Sequence, residues 1–257
     1  GSRLVLYAGS TPEICDAVWV VNVSSYQIES RYPTVYSDSG SGFQGAARLS
    51  PDNRRLYMAR SDALNYRYSI QCIDLATSKE IWQTDPQRDF GLTALDISPD
   101  GRMLASGSGF EDPTIRVWDT GTGGLLRQLE GHTGWICKLA FTRDGRRLIS
   151  AASDQSIRFW DTGNWTVTQV LRGHTDEVHA VAISEAAQLL ASAGKDGDLK
   201  LWPDDGKSAP DGYRRLPVAL DGNGVLPLDN SRVLLLPSSK PPEVVDLKRE
   251  GFSELLP

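Results

Sequence analysis

Histidine, cysteine and long apolar runs are all scarce in this 257-residue chain, and each scarcity closes off a class of function. Two of the three histidines fall in a repeated pattern, which leaves His179 alone, so a His-based metal site is not expected. No H-E-x-x-H, paired C-x-x-C or G-x-x-x-x-G-K-[ST] occurs to hold a metal or cradle a phosphate. The cysteines Cys15, Cys72 and Cys137 are odd in number and lie 57 and 65 residues apart. That is neither a disulfide framework nor a ligand spacing, and it reads as ordinary thiols in a reducing, cytoplasmic compartment. No run of 18 apolar residues exists, so membrane insertion is not expected. No signal-peptide pattern appears, and the leading Gly1-Ser2 reads as an expression scar ahead of a single domain over 3–257. A net charge of −6 argues against a basic surface of the kind that nucleic acid requires. Helix signals are nearly absent too. In their place stand short alternating or apolar runs separated by Asp, Gly, Asn, Pro and Ser, as many short strands require.

Against these absences stands a repeat. TIRVWDTGTG at 114–123 returns as SIRFWDTGNW at 156–165 and, more loosely, as DLKLWPDDGK at 198–207. Trp118, Trp160 and Trp202 are therefore spaced 42 and 42. EGHTGWICKLAFTRDGRRLISAASD (130–154) and RGHTDEVHAVAISEAAQLLASAGKD (172–196) precede the last two in the same register. A fixed period of this size marks a unit that cannot bury its own faces and must stack on copies of itself, and the chain has room for about six. In the clearest unit an inner strand is expected at 136–142, a tight turn at 143–145, and further strands at 147–151, 156–161 and 167–171. Weaker copies put Val21, Ile73 and Val245 in the tryptophan slot, at intervals of 52, 45, 42, 42 and 43 along the chain. The first unit has a strand at 4–7 and no residues left for an inner one. A literal G-x-G-x-x-G at 40–45 runs into a strand pattern instead of a helix, so it reads as a loop, and no cofactor is expected.

These segments resemble the WD-repeat family of β-propellers, in which each repeat builds one four-stranded antiparallel blade. The resemblance is strong over 92–202 and fades toward both ends. It implies an all-β propeller with six visible blade units, at roughly 3–42, 43–90, 91–134, 135–176, 177–220 and 221–257. With its first inner strand missing, the ring would be closed by an irregular segment, by upstream residues of a longer parent protein, or by a second chain. His132, Ser150, Asp154 and Trp160 are separated by 18, 4 and 6 residues, and His174, Ser192, Asp196 and Trp202 repeat those intervals. A Ser–His–Asp set invites a nucleophilic reading. A catalytic triad is built once, however, whereas this set recurs with a tryptophan attached. In the family that it resembles, such residues form a hydrogen-bonded chain inside the blade, so the two tetrads read as structural and no catalytic residue is assigned. Ser106 and Asp112 fit the blade of Trp118, with Arg88 in the histidine position. Met58, Arg67 and Ile73 fill the slots of the second blade, and Pro203 stands where an Asp usually follows the tryptophan.

The resemblance places partner contacts on either side of the start of the inner strand and just before the tetrad Asp. Here those positions are Phe43 and Gly45, Gly91 and Thr93, Trp135 and Cys137, Glu177 and His179, with Glu111, Ser153 and Lys195. Trp135 either anchors a partner or packs on a neighbouring loop. The expectation is a non-enzymatic protein–protein interaction scaffold that binds a protein or peptide at the channel mouth. The alternative is a regulatory or sensor propeller excised from a multidomain enzyme, such as a bacterial Ser/Thr protein kinase.

Overall fold

The computed structural model describes residues 3–8, 17–33, 46–62, 67–88, 92–109, 112–184, 188–203, 213–216, 225–227, 232–235, 243–246 and 251–254. Among them there is no helix. The chain divides into two compact units, Gly1–Gly131 and His132–Pro257. The G-x-G-x-x-G segment lies outside the described residues.

The first unit holds three antiparallel sheets. One has three strands, β1 (Arg3–Ala8), β2 (Ala17–Asn22) and β3 (Gln27–Pro33). The next comprises β4 (Ala47–Leu49), β5 (Arg55–Asp62), β6 (Arg67–Asp74), β7 (Lys79–Gln83) and the two-residue β8 (Gln87–Arg88). The third is β9 (Leu92–Ile97), β10 (Met103–Ser108), β11 (Ile115–Asp119) and β12 (Leu125–Leu129). The second unit holds three four-stranded sheets. These are β13 (Ile136–Phe141), β14 (Arg147–Ala152), β15 (Ser156–Asp161) and β16 (Val167–Arg172); β17 (Val178–Ser184), β18 (Leu189–Gly194), β19 (Leu199–Pro203) and β20 (Arg214–Leu216); and β21 (Val225–Pro227), β22 (Arg232–Leu235), β23 (Glu243–Asp246) and β24 (Gly251–Glu254).

The register repeats with the sequence. In all six sheets the tryptophan-slot residue faces an aliphatic residue of the preceding strand: Val21 faces Leu4, Ile73 Leu56, Trp118 Leu104, Trp160 Leu148, Trp202 Leu190 and Val245 Val233. Three of these slot faces pack on the sheet before them, each within one unit. Leu56 and Ile73 meet Val18, Val20 and Tyr32. Leu104 and Trp118 meet Tyr57, Ile70 and Cys72. Leu190 and Trp202 meet Ile149, Ile157 and Phe159. Central strands buried on both faces need apolar residues at nearly every position, as β14 and β18 have, whereas the outer β12 and β16 alternate less and expose most of their length.

Side chains close the turns. Ser50, Ser98 and Thr142 each donate a hydroxyl to an aspartate two residues on and accept the backbone N–H five residues on, at 2.9, 2.9 and 3.0 Å. β13 ends at Phe141, one residue short of the expected 142, where Thr142 opens the turn with its N–H donating to the Arg147 carbonyl at 2.9 Å. Asn53, Gly101 and Gly145 supply the left-handed residue these turns need. The turn after β11 has a tighter demand. Gly123 sits at φ 74° against the Trp82 ring, and a Cβ there would come within 2.7 Å of it.

The outer strand of the second sheet is broken. β7 ends at Gln83, Pro86 cannot donate to a ladder, and β8 resumes the pairing with β6. Thr84 bridges the gap from both sides. Its N–H donates to the Ile70 carbonyl at 2.9 Å, and its hydroxyl accepts the Ile70 N–H at 2.9 Å.

Candidate functional site

Two buried chains of hydrogen bonds run through the second unit. The indole N–H of Trp160 donates to Ser150 Oγ at 2.8 Å, Ser150 lies 2.7 Å from His132 Nε2, and His132 Nδ1 lies 2.8 Å from Asp154. In the next sheet Trp202, Ser192, His174 and Asp196 are linked at 2.7, 2.8 and 2.9 Å. The donors assign the protons. A carboxylate can only accept, so Nδ1–H donates to it; in a neutral imidazole Nε2 then accepts the serine hydroxyl, whose oxygen accepts the indole N–H. A neutral imidazole satisfies every partner. Burial likewise pushes both histidines below their ordinary value, against the opposing pull of Asp154 and Asp196. Burial pushes Asp154 up, but donors from His132, Ser156 and the Thr133 N–H outweigh it and hold the carboxyl well below the usual range. Asp196 is held at about 2 by the Thr175 N–H, His174 and the Asp198 N–H, against the same burial.

The third sheet keeps half of this arrangement. Trp118 donates to Ser106 at 2.8 Å, while Asp112, without a histidine, takes the guanidinium of Arg116. Arg88 lies on β8 and pairs through its backbone with Arg67. Cations two residues before the tryptophan were not singled out from the sequence, although IRVW, IRFW and LKLW show them in one register. Lys200 is the most enclosed of them. Its ammonium reaches Asp196 at 3.2 Å and Asp198 at 2.7 Å, and lies 5.1 Å over the Tyr213 ring.

The described positions expected to touch a partner lie, within each sheet, at the start of the inner strand or just before the tetrad Asp, where the inner strand is irregular. Thr93, Cys137 and His179 are each the extra residue of a bulge, between Leu92 and Ala94, Ile136 and Lys138, and Val178 and Ala180. A bulge re-aims the side chain it carries. Beside two of the bulges the backbone closes a second contact. The Trp135 carbonyl accepts the Ser153 N–H at 3.0 Å, and the Glu177 carbonyl accepts the Lys195 N–H at 2.8 Å. Trp135, Cys137 and Ser153 are thereby brought together, as are Glu177, His179 and Lys195. Phe43, Gly45, Gly91 and Glu111 lie outside the described residues.

Glu177 joins the second group. Its carboxylate lies 2.8 Å from His179 Nε2 and 3.5 Å from the exposed Lys195 ammonium. Trp135 is half-buried on a loop that passes close to its neighbour, since a Cβ on Gly134 would lie 2.8 Å from the Asp154 nitrogen. Burial, and after it the carboxylates of Glu177 and Asp154, push the Cys137 thiol up to about 12. Burial pushes Cys72 to about 11. Neither free thiol is a thiolate at neutral pH. Among the described residues no group of His, Cys, Asp and Glu is placed to hold a metal ion, and no helix is long and apolar enough to cross a membrane.

A family model described as "WD domain, G-beta repeat" matches residues 83–119, 123–161 and 165–203. These three stretches are WD repeats. The chain is 31% identical over 163 residues to an uncharacterized WD repeat-containing protein of Synechocystis sp., covering 47% of this chain and 45% of that protein. It is 43% identical over 54 residues to nuclear distribution protein PAC1 of Arthroderma benhamiae, covering 21% of this chain and 11% of the relative. Over 57 residues it is 40% identical to a lissencephaly-1 homolog of Monosiga brevicollis, covering 22% and 13%. The chain thus spans less than half the length of each of these relatives. A solved structure of RRP9 WD40 repeats superposes with a TM-score of 0.68 at 21% identity, covering 80% of this chain and 60% of that one. A structure of U3-55K gives 0.67, also at 21% identity, covering 80% and 61%. At that identity the likeness carries the fold, which is the β-propeller, with six blade sheets of which the first has three strands among the described residues.

Proposed function

We propose that this chain is a non-enzymatic, cytoplasmic scaffold that binds a protein or peptide at the sheet ends bearing Trp135, Cys137, Ser153, Glu177, His179 and Lys195, with Thr93 the matching position of the third sheet. One observation carries the reading: a bulge recurs at the same place in three sheets, and the residue it carries, Thr93, Cys137 or His179, belongs to no tetrad. In the WD-repeat family these are the positions expected to touch a partner. Catalysis by the Ser–His–Asp sets is disfavoured by access. Ser150 is wholly buried and its oxygen is taken by Trp160 and His132, so no substrate carbonyl can reach it.

The test compares three immobilised baits in a lysate of the parent organism: the unaltered chain, Trp135→Ala, and Arg146→Glu in the turn at the other end of the same sheet. A protein retained by the first and third baits should be lost from the second. Truncation of an anchoring tryptophan removes about 2 kcal/mol or more, roughly thirtyfold in affinity. Melting curves of all three baits check that each is folded. Retention by Trp135→Ala together with loss on Arg146→Glu would move the site to the opposite end.

A further inference from the structure

In the second unit the inner strands β13 and β17 lie side by side, and Glu177 is close enough to Cys137 to act on its thiol. Trp135 and Cys137 therefore share one surface with Glu177, His179 and Lys195. Arg172 ends the outer strand β16 opposite Ser156, so it stands at the same end of its sheet as Trp135.

The charges around this surface are unevenly used. Its carboxylates are committed. Asp154 accepts from His132, from the Ser156 hydroxyl and from the Thr133 and Ser156 N–H groups. Asp196 accepts from His174, Lys200 and the Thr175 and Asp198 N–H groups, and Asp198 takes Lys200 as well. Asp176 spends one oxygen on the Glu177 N–H. Glu177 gives one oxygen to His179 and the other to Lys195, and its side chain is only 17% exposed. The cations are open by comparison. The Lys195 side chain is 59% exposed, and of its three N–H donors one is engaged, in a long 3.5 Å contact. Arg172 is exposed and has no ion pair or side-chain hydrogen bond among the described residues. Half-buried Arg158, which acts with Arg172 on His132, leaves its Nε without a hydrogen-bond partner. A basic partner would have to break existing bonds to reach most of these carboxylates, whereas a carboxylate finds donors already facing solvent.

We propose that the segment bound here is an acidic peptide: it lays an apolar side chain against Trp135 and Cys137 and sets carboxylates over Lys195 and Arg172. This rests on the reading of these sheet ends as the partner-binding surface, and it adds the chemistry of the partner. The tryptophan supplies the anchor. The cations steer the approach and select the sign of the partner's charge, so their effect falls mainly on association rate and salt dependence.

The probe is a random peptide library displayed on phage, selected on the full chain and counter-selected on Trp135→Ala. Peptides that need Trp135 should be enriched in Asp and Glu beside an aromatic or aliphatic residue. The double variant Lys195→Glu, Arg172→Glu should bind them about tenfold more weakly. Both side chains are exposed, so this variant should melt near the unaltered chain. Synthetic copies of the same peptides with lysine at each acidic position should bind the double variant better than the unaltered chain, which reads the charge preference without reference to stability. Trp135-dependent peptides that are rich in Lys and Arg, or indifferent to the double variant, overturn the acidic partner and leave the sheet-end reading intact. Tighter Trp135-dependent binding of an oligothymidylate strand also overturns it, in favour of a phosphate backbone. A library that yields no Trp135-dependent peptide removes the sheet-end reading and this proposal with it.

Discussion

Ser150 illustrates how one small residue can order a whole blade. It accepts a hydrogen bond from the Trp160 indole and donates one to His132 Nε2, which matches the imidazole tautomer whose Nδ1–H reaches Asp154. Trp160→Phe keeps most of the apolar volume and removes only the donor, leaving one lone pair of a buried hydroxyl unmatched. A loss of roughly 1–3 kcal/mol is expected, read as a lower urea midpoint with unchanged slope. An unchanged midpoint would mean that the indole bond contributes nothing to the fold. The tetrads were legible in the sequence because fixed spacing becomes fixed geometry once the register is set. Arg116 and Lys200 were not, since a charge on a strand reads as solvent-facing, and only the contacts with Asp112, Asp196 and Asp198 explain their burial.

At the scale of strands, the second sheet departs furthest from the repeat and depends most on a single hydroxyl. Thr84 is buried and stands in for the ladder where Pro86 interrupts it. Thr84→Val preserves shape but leaves the Ile70 N–H without an acceptor, so it should cost about 1–3 kcal/mol. Native-state hydrogen exchange should report the loss as faster exchange at Ile70. Slow exchange at Ile70 in the variant would show that another acceptor replaces the hydroxyl. Periodicity could not announce this bridge, because a hydroxyl replacing a backbone group leaves no mark on an apolar pattern. The bulges at Thr93, Cys137 and His179 are a similar case: the sequence marked the positions through a family resemblance, but the two-against-one pairing belongs to the backbone and appears only in the register.

For the chain as a whole, the titrating groups inside the blades set how stability responds to acid. His132 and His174 are buried and neutral, with values below the roughly 6.5 of a free imidazole. Below that pH the unfolded chain takes up protons that the folded chain refuses, so folding weakens as pH falls. Asp196, held at about 2, adds a second interval. Its contribution is complete above the unfolded carboxylate value near 4 and is lost as pH falls toward 2, and Asp154 shifts in the same direction. Both effects have one sign. The urea midpoint should therefore be level from about pH 8 to 7, decline below roughly 6.5, and fall again below about 4. The upper interval is the more informative, because it separates two descriptions of the same 2.8 Å contact. Were His132 and Asp154 an ion pair at neutral pH, the folded chain would hold the proton more tightly than the unfolded one, and the midpoint would rise between pH 8 and 6. A decline over that interval identifies a neutral imidazole donating to a carboxylate, the state in which tryptophan, serine, histidine and aspartate are all satisfied at once.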